Sequence, residues 1–206
     1  MKVIGLTGGI ATGKSTVSEI LSGLGAEIID ADKIGHEIYL PNTEAWKDIV
    51  ATFGEDILLP DKTINRPKLG SIVFNDKEAL KKLNQIVHSR MYKKFEEEID
   101  KKKKRNNDRG VVVLDAAILI EANWLPLVDQ VWVVIADQDT VVDRLCSKKG
   151  LTKEHAMSRI SSQLSDEERR RYADEVIENN GTIVEVRKRV YEAWKRMIRD
   201  SREGGD

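Results

Sequence analysis

The run Gly8-Gly9-Ile10-Ala11-Thr12-Gly13-Lys14-Ser15 fits the pattern G-x-x-x-x-G-K-[ST], in which each residue type answers a need of a bound polyphosphate. Glycines let backbone N–H groups curl round a β-phosphate, and the start of a following helix adds partial positive charge. Lys14 is expected to carry a point charge to the β/γ oxygens, and the Ser15 hydroxyl to ligate Mg2+. The apolar segment Lys2-Val3-Ile4-Gly5-Leu6 precedes the run and a helix-like stretch, Ser15–Leu21, follows it. That is the strand, loop and helix setting the pattern requires, and it favours a phosphate site over a glycine turn that merely caps a helix.

Three further groups could take part in phosphoryl chemistry. Val111-Val112-Val113-Leu114-Asp115 ends an apolar strand on a carboxylate that can face magnesium, or can cap a loop instead. Asp30-Ala31-Asp32 closes the second apolar run, where ligands gather in open α/β sheets. An Asp there either takes the proton of an acceptor hydroxyl and holds it in line, or caps the next helix. Arg144, Lys148, Lys149, Arg159 and Arg169-Arg170-Arg171 crowd in or beside the polar stretch 145–172. Some of them would clamp the transferring phosphoryl group as a lid closes, and Arg144 is the first candidate. The guanine-reading motif N-K-x-D of a regulatory GTPase is absent from the sequence.

The elements that position these groups alternate. Apolar, β-branched runs at 2–6, 26–30, 111–115, 131–135 and, more weakly, 175–178 read as strands buried on both faces, hence a parallel sheet covered by helices. Leu80, Leu83, Val87, Met91 and Phe95 recur at helical spacing. That helix is expected to run on to Arg105, where Glu97/Lys101, Glu98/Lys102 and Asp100/Lys104 form acid-before-base pairs at i,i+4 on a solvated end. The gap between Asp30 and Val111 exceeds one crossover helix, which predicts a helical insertion over about 33–95. The stretch 145–172 reads as a lid of two short helices, with Thr152 as an N-cap and a capping box at Ser165–Glu168. The tail 201–206 is expected to fray.

Composition narrows the function classes. The chain has 206 residues, long enough for a full core in one domain with insertions. Its net charge of −1 removes the argument from a strongly basic fold, so no nucleic-acid partner is expected. No apolar run is long enough for an ordinary membrane span, and the glycine-rich N-terminus does not read as a signal peptide. A single cysteine, Cys146, excludes an internal disulfide framework, and a cytoplasmic location is expected. Trp46, Trp124, Trp132 and Trp194 read as packing rather than as adenine stackers, and His155 reads as surface.

Taken together, the ordered blocks resemble the dephospho-coenzyme A kinase family over about residues 3–184. The resemblance rests on Gly5–Ile10, on Asp30-Ala31-Asp32 with Ile34 and His36, on Leu83–His88, and on Leu119-Ile120-Glu121. It continues through Arg144-Leu145, Arg159–Gln163 and Ala173–Gly181. It implies ATP- and Mg2+-dependent phosphorylation of the ribose 3′-hydroxyl of dephospho-coenzyme A, the last step in making coenzyme A. It also implies a P-loop NTPase three-layer α/β fold with a five-stranded parallel sheet, a helical substrate-binding insertion and a helical lid. Residues Ala11, Thr12, Gly13, Lys14, Ser15 and Thr16 would then form the ATP loop. Asp32 would address the hydroxyl, while His36, His88 and Glu121 would touch the substrate; for the two histidines a structural hydrogen-bonding role is the alternative. The chain departs from the family where Ala11-Thr12 replaces Gly-Ser, at Ser89 and Ala117 in place of prolines, at Val141 for Gln and at Lys148 for Arg. Lysine cannot reproduce arginine's forked contact, so these changes bear on the acceptor more than on the chemistry. The rival readings are a related kinase for another nucleoside or nucleotide, and a nucleotide-gated switch without an acceptor.

Overall fold

Each apolar run becomes a strand in the computed structural model, which describes residues 1–203. The strands are β1 (Lys2–Gly8), β2 (Glu27–Asp30), β3 (Val111–Asp115), β4 (Gln130–Ile135) and β5 (Glu175–Glu178). They form one five-stranded parallel sheet in the order β2-β3-β1-β4-β5. In the central register Ile4 sits opposite Val113 and Leu6 opposite Trp132. Because successive side chains alternate between faces, Ile4, Leu6, Val111, Val113, Trp132 and Val134 share one face. They join Val17 and Leu21 of helix α1 (Lys14–Gly23) and Val190 and Met197 of helix α9 (Ile183–Glu203) in a buried cluster. On the other face, the missing side chain of Gly5 leaves room for Leu119 and Val128.

The remaining helices are α2 (Ala31–Glu37), α3 (Glu44–Phe53), α4 (Arg66–Asn75), α5 (Lys77–Arg105), α6 (Gln138–Lys149), α7 (Lys153–Ser161) and α8 (Asp166–Arg170). The chain divides into two compact units, Met1–Ile29 with Lys102 onward, and Asp30–Lys101. The second unit has a core of its own around Ile49, Ile57, Leu69, Val73 and Leu83. Ile49 and Ile57 are fully buried there, and each such side chain contributes about 1.5–3 kcal/mol relative to exposure.

Two expectations change. Leu80 is exposed rather than part of the buried stripe of α5, whose inward residues are Ala79, Leu83, Met91, Phe95 and Ile99. The charges at the end of α5 also pair differently. Lys102 turns to Glu27, which it shares with Arg105 and Asn106, while Glu98 takes Lys101 at i+3. A carboxylate at the start of β2 gathers three donors there, so tertiary contact overrides the local i,i+4 pairing. Trp124 and Trp132 are fully buried, and Trp46 and Trp194 pack against the two cores. No helix among the described residues is long and apolar enough to cross a membrane. Of the tail expected to fray, 201–203 continue the backbone of α9 and 204–206 lie outside the described residues.

Candidate active site

β1 delivers the chain into the glycine loop at Gly8, where any side chain would run into the carbonyl oxygen of Val134 on the adjacent strand. The loop turns back through a Thr12 N–H bond to the Gly9 carbonyl (3.3 Å), reinforced by the Thr12 hydroxyl on the same oxygen (2.9 Å). Gly13 then takes a left-handed conformation (φ +97°) as the N-cap of α1. A side chain there would be strained and would also collide with the Asn179 carboxamide. Ala11 is left-handed as well (φ +58°), a conformation that costs a non-glycine residue roughly 1–2 kcal/mol.

Two side chains from distant elements hold the loop open. Arg144 of α6 donates Nη1 to the carbonyls of Ala11 and Thr12 (both 3.2 Å) and Nη2 to the carbonyl of Asn179 (2.8 Å). Asn179, just past β5 and 6% exposed, donates Nδ2 to the Thr12 carbonyl at 2.7 Å. In a trans peptide the C=O and the next N–H point in opposite directions. Holding the Thr12 carbonyl toward Arg144 and Asn179 therefore aims the Gly13 N–H away from them, as a phosphate cradle needs. The guanidinium of Arg144, the residue expected to clamp the transferring group, thus spans three carbonyl oxygens at the back of the loop.

Lys14, the first residue of α1, reaches the end of β3 and pairs with Asp115 Oδ1, both side chains largely buried. Ser15 and Thr16 follow in the first turn, Ser15 exposed and Thr16 half-buried. No group of three or more metal-ligating side chains exists among the described residues. Two oxygen donors, Ser15 and Asp115, would suit Mg2+ only as a partly hydrated ion carried by phosphates.

The segment 163–170 covers the other limb of the loop. Its capping box at Ser165 forms in full, with the Glu168 N–H and the Ser165 N–H each satisfied by the other residue's side chain, and Thr152 caps α7. Gln163 Oε1 accepts the Ile10 N–H at 2.8 Å. Arg169 is buried, donating to the Leu164 carbonyl and to Glu121 Oε1. Glu121, expected against substrate, is thus an ion-pair partner of Arg169. Burial holds the Asp166 carboxyl above its usual range. Between this segment, the loop and α6–α7 lies a cavity of about 480 Å³, walled by Gly9, Ile10, Val141, Met157, Ile160 and Arg169 among others.

Of the residues expected on the acceptor side, Asp32, His36 and His88 lie in the second unit and Glu121 in the first. Asp30 is the N-cap of α2, its Oδ1 accepting the N–H groups of Asp32 (2.9 Å) and Lys33 (3.1 Å). Of the two carboxylates, Asp30 is thus the one that caps the helix. Asp32 sits in the first turn with its carboxylate exposed and without a hydrogen-bond or ion-pair partner among the described residues. His36 places Nδ1 at 2.7 Å from the Asp32 carbonyl oxygen, back along its own helix. His88 on α5 is half-buried, and desolvation holds its imidazole below the usual range. Asn179, Gln163 and Arg169 had no role singled out for them alone in the sequence. Their position was the available signal: Asn179 follows a strand end, and the other two flank a capping box.

A sequence-family model described as dephospho-CoA kinase matches residues 2–185. A dephospho-CoA kinase of Geobacter sulfurreducens is 45% identical over 198 residues, covering 96% of this chain and 100% of its own. The solved structure of a dephospho-CoA kinase from Campylobacter jejuni superimposes with a TM-score of 0.71 at 29% identity, covering 97% of this chain and 98% of the other. A shikimate kinase from Acinetobacter baumannii matches at a TM-score of 0.53 and 16% identity over 97% of this chain and 94% of the other, a likeness of fold alone.

Proposed function

The chain belongs to the dephospho-CoA kinase family, and from that premise we propose how its residues divide the work of moving the γ-phosphoryl group of ATP to dephospho-CoA, giving coenzyme A. The observation that supports the division best is the loop from Gly8 to Ser15, whose carbonyls are tied back by Arg144 and Asn179 while Lys14 spans to Asp115. Residues 11–16 bind the phosphates, through backbone N–H groups at the start of α1 and through the Lys14 ammonium. Ser15 and Asp115 would hold Mg2+, which would supply positive charge against the charge that develops during transfer. Arg144 acts as a positioning residue that fixes the loop from behind.

Asp32 addresses the ribose 3′-hydroxyl. Its carboxylate is not consumed by capping, since Asp30 does that work, so both of its oxygens are available to accept a proton or hold the hydroxyl in line. His36 and His88 contribute to the acceptor side, and Glu121 acts through Arg169. The unit 30–101 serves as the substrate-binding insertion and the stretch 145–172 as the lid.

The test is ATP consumption with dephospho-CoA against AMP, uridine and pantetheine 4′-phosphate as acceptors, with the product identified by mass and by its new 3′-phosphomonoester resonance in 31P NMR. Turnover with dephospho-CoA well above the other three is the expected result. Equal or higher turnover with another acceptor would assign the chain a different substrate.

A further inference from the structure

At the Gly9–Ile10 limb of the loop, two side chains close on the backbone from the segment between α7 and the end of α8. Gln163 Oε1 accepts the Ile10 N–H, and both that oxygen and Arg169 Nη1 lie 3.6 Å from where a side chain on Gly9 would begin. Arg169 is only 2% exposed. Its Nη1 is satisfied by the Leu164 carbonyl and its Nη2 by Glu121 at 3.1 Å, but Nε has no hydrogen-bond partner among the described residues. A buried donor left in this state is costly, and it wants an acceptor. Arg169 and Gln163 both line the cavity of about 480 Å³ beside the loop, which gives a phosphoryl group space next to their side chains.

The other limb of the loop is already provided for. Gly13 to Thr16 open α1 and serve the nearer phosphates, and Lys14 reaches between β and γ. Arg144 is occupied by three carbonyl oxygens. The cation stationed against Gly9 is Arg169, and the backbone donor beside it, Ile10 N–H, is filled by a neutral oxygen that a side chain can withdraw.

We propose that Gln163 and Arg169 form a sensor for the terminal phosphoryl group of a nucleoside triphosphate. Gln163 Oε1 holds the Ile10 N–H in the place of a phosphoryl oxygen and is exchanged for one when the triphosphate enters. Arg169, kept against Gly9 by Glu121, meets the same group. A phosphoryl oxygen is charged and a carboxamide oxygen is not, so the exchange gains a hydrogen bond roughly twice as strong. A diphosphate brings no group to this limb, leaves Gln163 in place and binds without the gain. The pair thus sets a preference for triphosphate over diphosphate and eases release of the spent nucleotide. The proposal rests on the kinase reading and adds the residues that tell the loaded nucleotide from the spent one.

Calorimetric titration of the full chain with Mg2+ and either a non-hydrolysable ATP analogue or ADP tests it. Gln163→Leu should tighten the analogue about two- to tenfold, the range for one neutral hydrogen bond removed from competition, with ADP within about twofold of the parent. Arg169→Met should weaken the analogue about tenfold or more with ADP again little changed, and Arg169→Lys should recover part of the loss. Parallel shifts for both nucleotides, or a Gln163→Leu chain indistinguishable from the parent, would overturn the proposal. Gln163 is exposed, so that variant decides the matter even where Arg169→Met fails to fold. A parent chain that turns over dephospho-CoA while the variants shift both nucleotides alike defeats the sensor alone. A parent that phosphorylates none of the acceptors defeats the kinase reading, and the sensor that rests on it falls too.

Discussion

The phosphate loop and the first turns of α2 both carry residues expected to do chemistry, yet their surroundings differ. Around the loop, carbonyls and flanking side chains are tied to one another: Thr12 with Gly9, Arg144 and Asn179 with the loop carbonyls, Lys14 with Asp115, Gln163 with Ile10. At α2 the Asp32 carboxylate and the His36 ring stand at the surface, and only Asp30 is fixed by backbone donors. The contrast agrees with the proposed division of labour. A polyphosphate is bound by preorganised dipoles, which lose their advantage if they must reorganise on binding. A carboxylate that accepts a proton works best when nothing else competes for its lone pairs.

Removing the central charge of the preorganised side should give the largest effect. Lys14→Ala is expected to lower kcat by about a hundredfold or more, the scale of one preorganised electrostatic donor, in steady-state assays with saturating dephospho-CoA. Near-normal turnover in a folded variant would remove the loop from the mechanism. Asn179→Ala takes one buried hydrogen bond from the Thr12 carbonyl and should raise KM for ATP about tenfold, matching about 1–3 kcal/mol for an under-satisfied buried group. A larger change in kcat than in KM would mean that Asn179 acts on the reacting atoms rather than on loop shape.

The acceptor side should respond differently to loss of its structural carboxylate. Asp30→Ala removes an N-cap and is expected to cost about 0.5–2 kcal/mol in urea unfolding, with a small effect on kcat. A large kcat loss at unchanged stability would exchange the roles of Asp30 and Asp32.

The smallest effect concerns neither side. Three hydrogen-bond partners, Lys102 first, hold the Glu27 carboxyl down at about 2, against 4.5 unperturbed. A carboxyl lowered on folding stabilises the native state above its unfolded value and loses that contribution as pH falls through the folded one. Unfolding curves of the parent and Glu27→Gln should therefore differ slightly at pH 6 and converge between about pH 4.5 and 2. A difference that persists unchanged to pH 2 would assign the effect to packing.

What could be read from the sequence follows the same division. The loop is legible because its requirements are local: consecutive glycines, a lysine and a hydroxyl at fixed spacing after a strand, and the strands and the capping box at Ser165 are local patterns too. The choice between Asp30 and Asp32 is not, because either carboxylate could cap and only the backbone geometry at the end of β2 selects Asp30. The arginines present the same difficulty over longer range. Arg144 and Arg169 look alike in a polar stretch, and their separate fates depend on carbonyls and a carboxylate far away in sequence. Lys102 leaves its i,i+4 partner for Glu27 for the same reason.

The division of labour between the two regions is tested most directly by Asp32→Asn, which keeps the side chain's shape and removes its basicity. Binding of a non-hydrolysable ATP analogue and kcat with dephospho-CoA should be measured on the same preparation. If that division holds, analogue affinity stays within about twofold of the parent and kcat is lower by about a hundredfold or more. A kcat close to the parent's, or nucleotide affinity that falls in step with the rate, would contradict it.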